Sequence, residues 1–286
     1  MKLMVQLSPC GGSGRHLIAY ETAVHLAMRR GGGKYLIMDI SSNAVSPLDI
    51  RGCYLGYLMG RYHPSEAIVK IPRHDNFYYT RFITPTCIKD LNYNLGLVNS
   101  RLEEIISKMA IEIKDLIKRN YTVIITASYD ILTMNLIEEL MRGPLSFIMD
   151  SEPVLISNEN IVCIKESIRL MEELNLRSKN LIVNKVPAAE IMRLRDEVIS
   201  LNGLNLAVLI PLSRQLYFRH FAHYMSVAIK ANTNPHARTI SHLFDKILRI
   251  LEGTEEGGKV LALIGGLINE TDLIPSVNEG AKIKIF

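Results

Sequence analysis

The feature that most constrains this chain is Cys10-Gly11-Gly12-Ser13-Gly14, five small residues between an apolar run, Lys2 to Leu7, and a helix-like stretch beginning near Arg15. A glycine-rich turn at the entry to a helix lets backbone N–H groups gather around an anion, and the free N–H groups of the first helical turn reinforce them. Such a cradle handles nucleotide phosphates when a lysine reaches the β/γ-phosphates and a Ser/Thr hydroxyl sits on Mg²⁺. Here Arg15 and His16 occupy those places. Taken alone, Gly11 to Gly14 is also compatible with a packing turn between strand and helix.

The 286 residues suffice for one large α/β core, or one core with a short appendage. With 48% hydrophobic and 22% charged residues, disorder and a coiled coil are both disfavoured. A formal net charge of +4, spread over the whole chain, is too mild to establish a nucleic-acid partner. Cys10, Cys53, Cys87 and Cys163 are widely separated and show no C-x-x-C spacing. That argues against a zinc site and a disulfide framework, and favours a reducing cytoplasm. No signal-type segment precedes Pro9, and no run approaches the roughly 18 apolar residues of a spanning helix, so the chain reads as soluble. Scarce Gln with abundant Ile and Leu points to a thermophilic source.

Strand-like apolar runs alternate with amphipathic helical stretches, the pattern of a doubly wound, mostly parallel sheet with helices on both faces. Strands are expected at Lys2 to Leu7, Tyr35 to Met38, Asn76 to Ile83, Tyr121 to Ile125, Leu145 to Met149, Asn180 to Val183 and Leu206 to Ile210. Helices are expected from about Arg15 to Arg30, stopped by Gly31-Gly32-Gly33, from Val98 to Ile117 and from Asn160 to Leu174. Gly257-Gly258 is the one plausible boundary, dividing a main domain, 1–256, from a tail, 257–286, that packs on the body or on a partner. The tail's apolar patch, Val260 to Ile268, lacks the basic face of a membrane-surface helix.

With strand, glycine turn and helix in place, the chain resembles the MinD/ParA family of P-loop ATPases, which carry a Lys-Gly-Gly-x-Gly-Lys-Thr cradle, then a helix, then a strand ending in Asp-x-Asp. The matching order here is Cys10 to His16, the helix, then Leu36-Ile37-Met38-Asp39-Ile40-Ser41. Pro47 to Gly52 is similar to the switch I loop, and Glu66 to Val69 to the segment before the third strand. Leu181 to Val186 resembles the strand whose Asn recognises adenine, and Val208 to Pro211 a later strand and Pro turn. The likeness spans roughly Met1 to Leu251. It implies a P-loop NTPase-like fold and a nucleotide- or anion-binding set of Gly11, Gly12, Ser13, Gly14, Arg15, His16, Asp39 and Asn184.

Against the family pattern, Cys10 replaces the lysine extended to a dimer partner, Arg15 the cradle lysine and His16 the Mg²⁺-binding hydroxyl. Ser41 replaces the second Asp, Ala127 stands where a metal-linked Asp is carried, and Asp130 lies too far along to substitute. Phosphoryl transfer needs metal, lysine and an oriented water together. The expectation is therefore a pseudo-ATPase with no catalytic residue and no metal ligand, holding ATP or ADP, if at all, without efficient turnover. The resemblance implies a scaffold or regulatory partner, as a homodimer or a heterodimer with an intact paralogue. The alternatives are an atypical ATP-binding switch or weak ATPase, and a DNA-partition or polar-localisation module.

Individual residues keep simpler readings. Asp39 is either a polar contact of the site or a strand end, and Asn184 either an adenine contact or a turn former before Pro187. His16 reads as a helix-start residue, having no ligand-type neighbour at metal spacing. Arg214, Arg219, His220, Lys230, Arg238, Lys246 and Arg249, interleaved with Tyr217, Phe218, Phe221 and Tyr224, read as an amphipathic surface rather than a DNA-contacting one.

Overall fold

Every residue of β1, Leu3–Ser8, is buried, as a strand covered on both faces of a parallel sheet must be. The pleat sends Leu3, Val5 and Leu7 into one core and Met4 into the other. The computed structural model describes residues 1–41, 48, 50–72, 74–84, 87, 101–129, 133–143, 149, 153–201, 203–213, 216 and 226–273.

From β1 the chain turns through the glycine loop into α1, Arg15–Arg30, which stops at Gly31 with Arg29 and Arg30 in its last turn. Those two cations complement the negative end of the helix dipole. Next come β2, Lys34–Ile40, and two short helices, α2, Tyr54–Leu58, and α3, Pro64–Ala67. The strands β3, Ile68–Lys70, and β4, Phe77–Arg81, precede the long helix α4, Leu102–Lys118. Beyond it lie β5, Tyr121–Ser128, α5, Met134–Arg142, β6, Val154–Ser157, and α6, Ile161–Glu173. The chain continues through β7, Lys179–Val186, α7, Ile191–Ile199, and β8, Leu204–Pro211. It then runs through α8, Val227–Lys230, and α9, Pro235–Leu251, to β9, Lys259–Ile264, and β10, Leu267–Asp272.

The ten strands form one sheet in the order β10-β9-β8-β7-β6-β1-β5-β2-β4-β3. All neighbouring pairs are parallel except β3 with β4 and β10 with β9. One face packs against α4, α5, α6 and α7, through side chains such as Ile113, Leu140, Ile164 and Leu194. The other packs against α1, α8 and α9, through Ile18, Leu26, Val227 and Phe244. Each such buried aliphatic or aromatic side chain contributes about 1.5–3 kcal/mol over its exposed state. The doubly wound architecture expected from the alternating pattern is thus present.

The chain leaves β1 toward β2 on one side, and later crosses back to β6 on the other. The carboxyl end of β1 is therefore a topological switch point, where loops diverge and leave a crevice at the sheet edge. The glycine loop stands there.

Three differences from the sequence-based expectations have physical causes. The strand next to β1 is β6, four residues after Pro153, too short to show a periodicity; of the strand expected at Leu145 to Met149, residues 145–148 lie outside the described residues. Val260 to Ile268 divides into β9, the turn at Gly265-Gly266 and the start of β10, and β9 adds to the sheet alongside β8. The disulfide expectation is corrected: Cys10 is bonded to Cys163 and Cys53 to Cys87, with Cα atoms 5.9 Å apart in both pairs. Sequence spacing carried no sign of this, because the first pair closes across 153 residues and only the folded sheet sets the glycine loop against α6. The cysteine argument for a reducing compartment goes with it.

Candidate functional site

Backbone carbonyls of the glycine loop are held one after another by polar side chains. Ser8 Oγ donates to Cys10 O at 2.9 Å and shares a 2.8 Å hydrogen bond with Ser13 Oγ. Asn158 Nδ2 donates to Gly11 O at 3.4 Å, Lys185 Nζ to Gly12 O at 2.5 Å and Asn184 Nδ2 to Ser13 O at 2.7 Å. Gly14 O accepts the first helical N–H groups, from Leu17 and Ile18. Carbonyls anchored in this way fix their peptide planes, and so fix the direction of the intervening N–H groups. Gly12 has φ 73°, a left-handed conformation in which a side chain is strained.

Local chain geometry brings these anchors in. β7 is bulged between Val183 and Val186, and Lys185 has φ 64°, an uncommon value for a residue with a Cβ. The bulge directs Asn184 and Lys185 onto the same loop. Asn184, fully buried, serves there as a donor to the loop backbone.

Asp39 lies at the centre of the second half of the site. It is fully buried near the end of β2, and its carboxylate gathers side chains from α1, from β4 and from the residue just after β2. Arg15 Nη2 stands 3.5 Å from Oδ1, and His16 Nε2 2.9 Å from Oδ2. Arg81 Nε stands 3.5 Å from Oδ2, its residue in register with Asp39 on the adjacent strand β4. Ser41 Oγ donates to Oδ1 at 2.8 Å and Tyr79 Oη to Oδ2 at 3.1 Å. Burial alone raises the carboxyl pKa, but His16, Arg15 and the Ser41 hydroxyl outweigh it and hold it at about 2.

Two guanidinium groups thus share one carboxylate away from water. Among the described residues, Arg15 Nε and Nη2, Arg81 Nε and His16 Nε2 meet no acceptor in hydrogen-bonding geometry, so the cluster is held by charge more than by directed bonds. Its net sign is positive, beside a helix start that is itself attractive to anions.

The fit to phosphate and the fit to magnesium come apart. The loop backbone, the start of α1 and the excess positive charge suit a phosphate group. Oxygen donors of the kind that hold Mg²⁺ are few here: His16 faces Asp39, Ser41 Oγ is hydrogen-bonded to Asp39, and Ala127 is buried in the core beside Ile40. No cluster of three or more His, Cys, Asp or Glu suited to a metal occurs among the described residues.

Gly11, Gly12, Ser13, Gly14, Arg15, His16, Asp39 and Asn184 are therefore gathered at one sheet edge. Arg81, Tyr79, Asn158, Lys185 and Cys163 join them without having been singled out in the sequence. Arg81 is visible only once β2 and β4 are known to pair, since it is 42 residues from Asp39 (81 − 39). Pro47, Asp49 and Asp130 lie outside the described residues, as do Arg214, Tyr217, Phe218, Arg219, His220, Phe221 and Tyr224. Of the remaining basic positions, Lys246 pairs with Glu255 and Glu270, and Arg249 with Glu255. No helix among the described residues is long and apolar enough to cross a membrane.

A glycine loop between a central parallel strand and a helix, at the switch point of a doubly wound sheet, defines a P-loop NTPase fold. More narrowly, the chain has the fold of the MinD/ParA-type ATPases. It is similar to the MinD cell division protein of Aquifex aeolicus, with a TM-score of 0.57 and 17% identity over 87% of this chain and 97% of that one. Septum site-determining protein MinD from Pyrococcus horikoshii, complexed with Mg-ADP, matches with a TM-score of 0.56 and 16% identity over 87% and 96% of the two chains. Cobyrinic acid a,c-diamide synthase from Mycobacterium smegmatis, with bound ADP and magnesium, matches with a TM-score of 0.56 and 14% identity over 90% and 98%. No protein-family model matches the sequence, and no curated protein matches it.

Proposed function

We propose that this chain is a degenerate MinD/ParA-type protein that acts as a scaffold or regulatory partner, with ATP hydrolysis impaired or absent. The observation that carries the reading is the closed cluster around Asp39. Arg15 and His16, standing where a lysine and a magnesium-binding hydroxyl are needed, are turned onto that carboxylate. A transition state for phosphoryl transfer needs a cation on the phosphate and an oxygen ligand on the metal instead.

An aspartate with a pKa of about 2, flanked by two guanidinium groups, serves as a structural counter-ion. The cradle retains the capacity to hold an anion such as the phosphates of ATP or ADP, without the metal chemistry that turns them over. A similar MinD fold is seen in a complex with MinC, and a homodimer or a heterodimer with an intact paralogue is the assembly proposed here. A cytoplasmic setting in a thermophile accommodates two disulfides, since intracellular disulfides persist in such organisms.

Because Cys10 offers no charge to a neighbouring subunit, assembly should be indifferent to nucleotide. Analytical ultracentrifugation over a range of protein concentrations, with and without Mg-ATP, tests this. The same association constant in both conditions supports the scaffold reading, and strong tightening by Mg-ATP supports a nucleotide-gated switch in its place.

A further inference from the structure

The Cys10–Cys163 bond joins the second residue after β1 to the third residue of α6. The geometry points to a thiol–disulfide exchange site that sets the rigidity of the glycine loop, with a dithiol as its reductant. This rests on the loop serving as the functional site proposed above, and concerns the regulation of that site.

The two sulfurs are not equivalent. Cys163 is 2% exposed, whereas Cys10 is half-buried at the protein surface, so an incoming thiolate reaches Cys10 Sγ. Cys163 sits in the first turn of a thirteen-residue helix whose N-cap Asn160 side chain accepts the N–H of Val162. A thiolate leaving there is stabilised by the positive end of the helix dipole, which makes Cys163 the better leaving group.

The exchange balances as a two-electron step. One thiolate of the dithiol attacks Cys10 Sγ, the Cys10–Cys163 bond breaks, and Cys163 departs as a thiolate. The second thiol of the reductant then attacks the mixed disulfide, releasing Cys10 and leaving the reductant as a cyclic disulfide. Its two protons end on Cys10 and Cys163.

The loop is the element that responds. Its carbonyls at Gly11, Gly12 and Ser13 are anchored by Asn158, Lys185 and Asn184, all on the β6–α6 and β7 side to which the disulfide also ties it. With the covalent tie in place, the cradle is pinned at its entry. Without it, the first turn of the loop is left to single side-chain hydrogen bonds, and opens more often.

Hydrogen exchange on the full chain, purified without reductant and compared with the same protein after dithiothreitol, reads this directly. Peptides covering residues 9–17 should exchange about tenfold faster after reduction. Cys53→Ser with Cys87→Ser should keep that difference, and Cys10→Ser with Cys163→Ser should exchange fast in both conditions. Equal exchange in the two redox forms of the unaltered chain would overturn the proposal, as would alkylation of all 4 cysteines before any reductant is added. Phosphate release from Mg-ATP in either redox form would count against the scaffold reading and leave the redox site standing, so the two fail separately.

Discussion

Arg81 Nε stands 3.5 Å from Asp39 Oδ2, with the two residues in register on adjacent parallel strands. Together with Arg15 it leaves Asp39 as the one carboxylate shared by two buried guanidinium groups among the described residues, with His16 Nε2 2.9 Å away. In a working metal site an aspartate here would be strained by its own function, and its removal would tend to stabilise the fold. In this chain the opposite follows.

Asp39→Asn leaves two buried guanidinium groups without a counter-charge, so it should cost about 3–5 kcal/mol of stability. Urea unfolding followed by circular dichroism measures it. An unchanged or raised midpoint would show that Asp39 is poised for a ligand and does not neutralise the cluster.

The pH dependence has a defined sign. The Asp39 carboxyl is held at about 2 against an ordinary value of 3.8, so its ionised form is favoured by folding. The stability this supplies, about 2 kcal/mol at roughly 1.4 kcal/mol per pH unit, is fully present above about pH 4. It disappears as the pH falls toward 2. Unfolding free energies of the unaltered chain and of Asp39→Asn, measured from pH 5 to pH 2, should converge across that window, and parallel curves would contradict the assignment.

The two adjacent glycines should behave differently. Gly12 has φ 73°, whereas no left-handed angle is found at Gly11, and a Cβ at either meets nothing within 4 Å. Gly12→Ala should therefore cost about 1–2 kcal/mol of backbone strain, and Gly11→Ala a few tenths. Thermal melts of the two variants separate them, and equal melts would mean that the loop relaxes around position 12.

Much of the scaffold was readable because it is written locally. The helix Arg15–Arg30 follows from its glycine borders, and β1, β5, β7 and β8 from unbroken apolar runs. β6 was missed because four residues carry no period, and β9 and β10 because the hairpin's pairing with β8 is a long-range event. At the site, the glycine loop, Arg15, His16 and Asp39 stood out as departures from a pattern. Arg81, Asn158 and Lys185 did not, since each reaches its partner only through the order of the strands. Cys10 stood out as a missing lysine, while its bond to Cys163 depends on a contact that no spacing in the sequence encodes.

Partial repair should restore binding before chemistry. Arg15→Lys with His16→Thr removes two of the groups on Asp39 and returns a metal-type hydroxyl, while Ser41 and Ala127 still leave water and metal unsupported. Isothermal titration with Mg-ADP should show affinity at least about tenfold above that of Arg15→Lys alone, because residues that act as a unit respond together. Equal affinities would show that position 16 is not the limiting defect.

The most direct measurement is phosphate release from Mg-ATP by the unaltered chain, alongside Arg15→Ala. The account predicts that neither protein releases phosphate above the rate in buffer, because Arg15 is engaged by Asp39 and position 16 offers the metal no oxygen. Steady turnover by the unaltered chain that is lost in Arg15→Ala would contradict it and make this a divergent working ATPase.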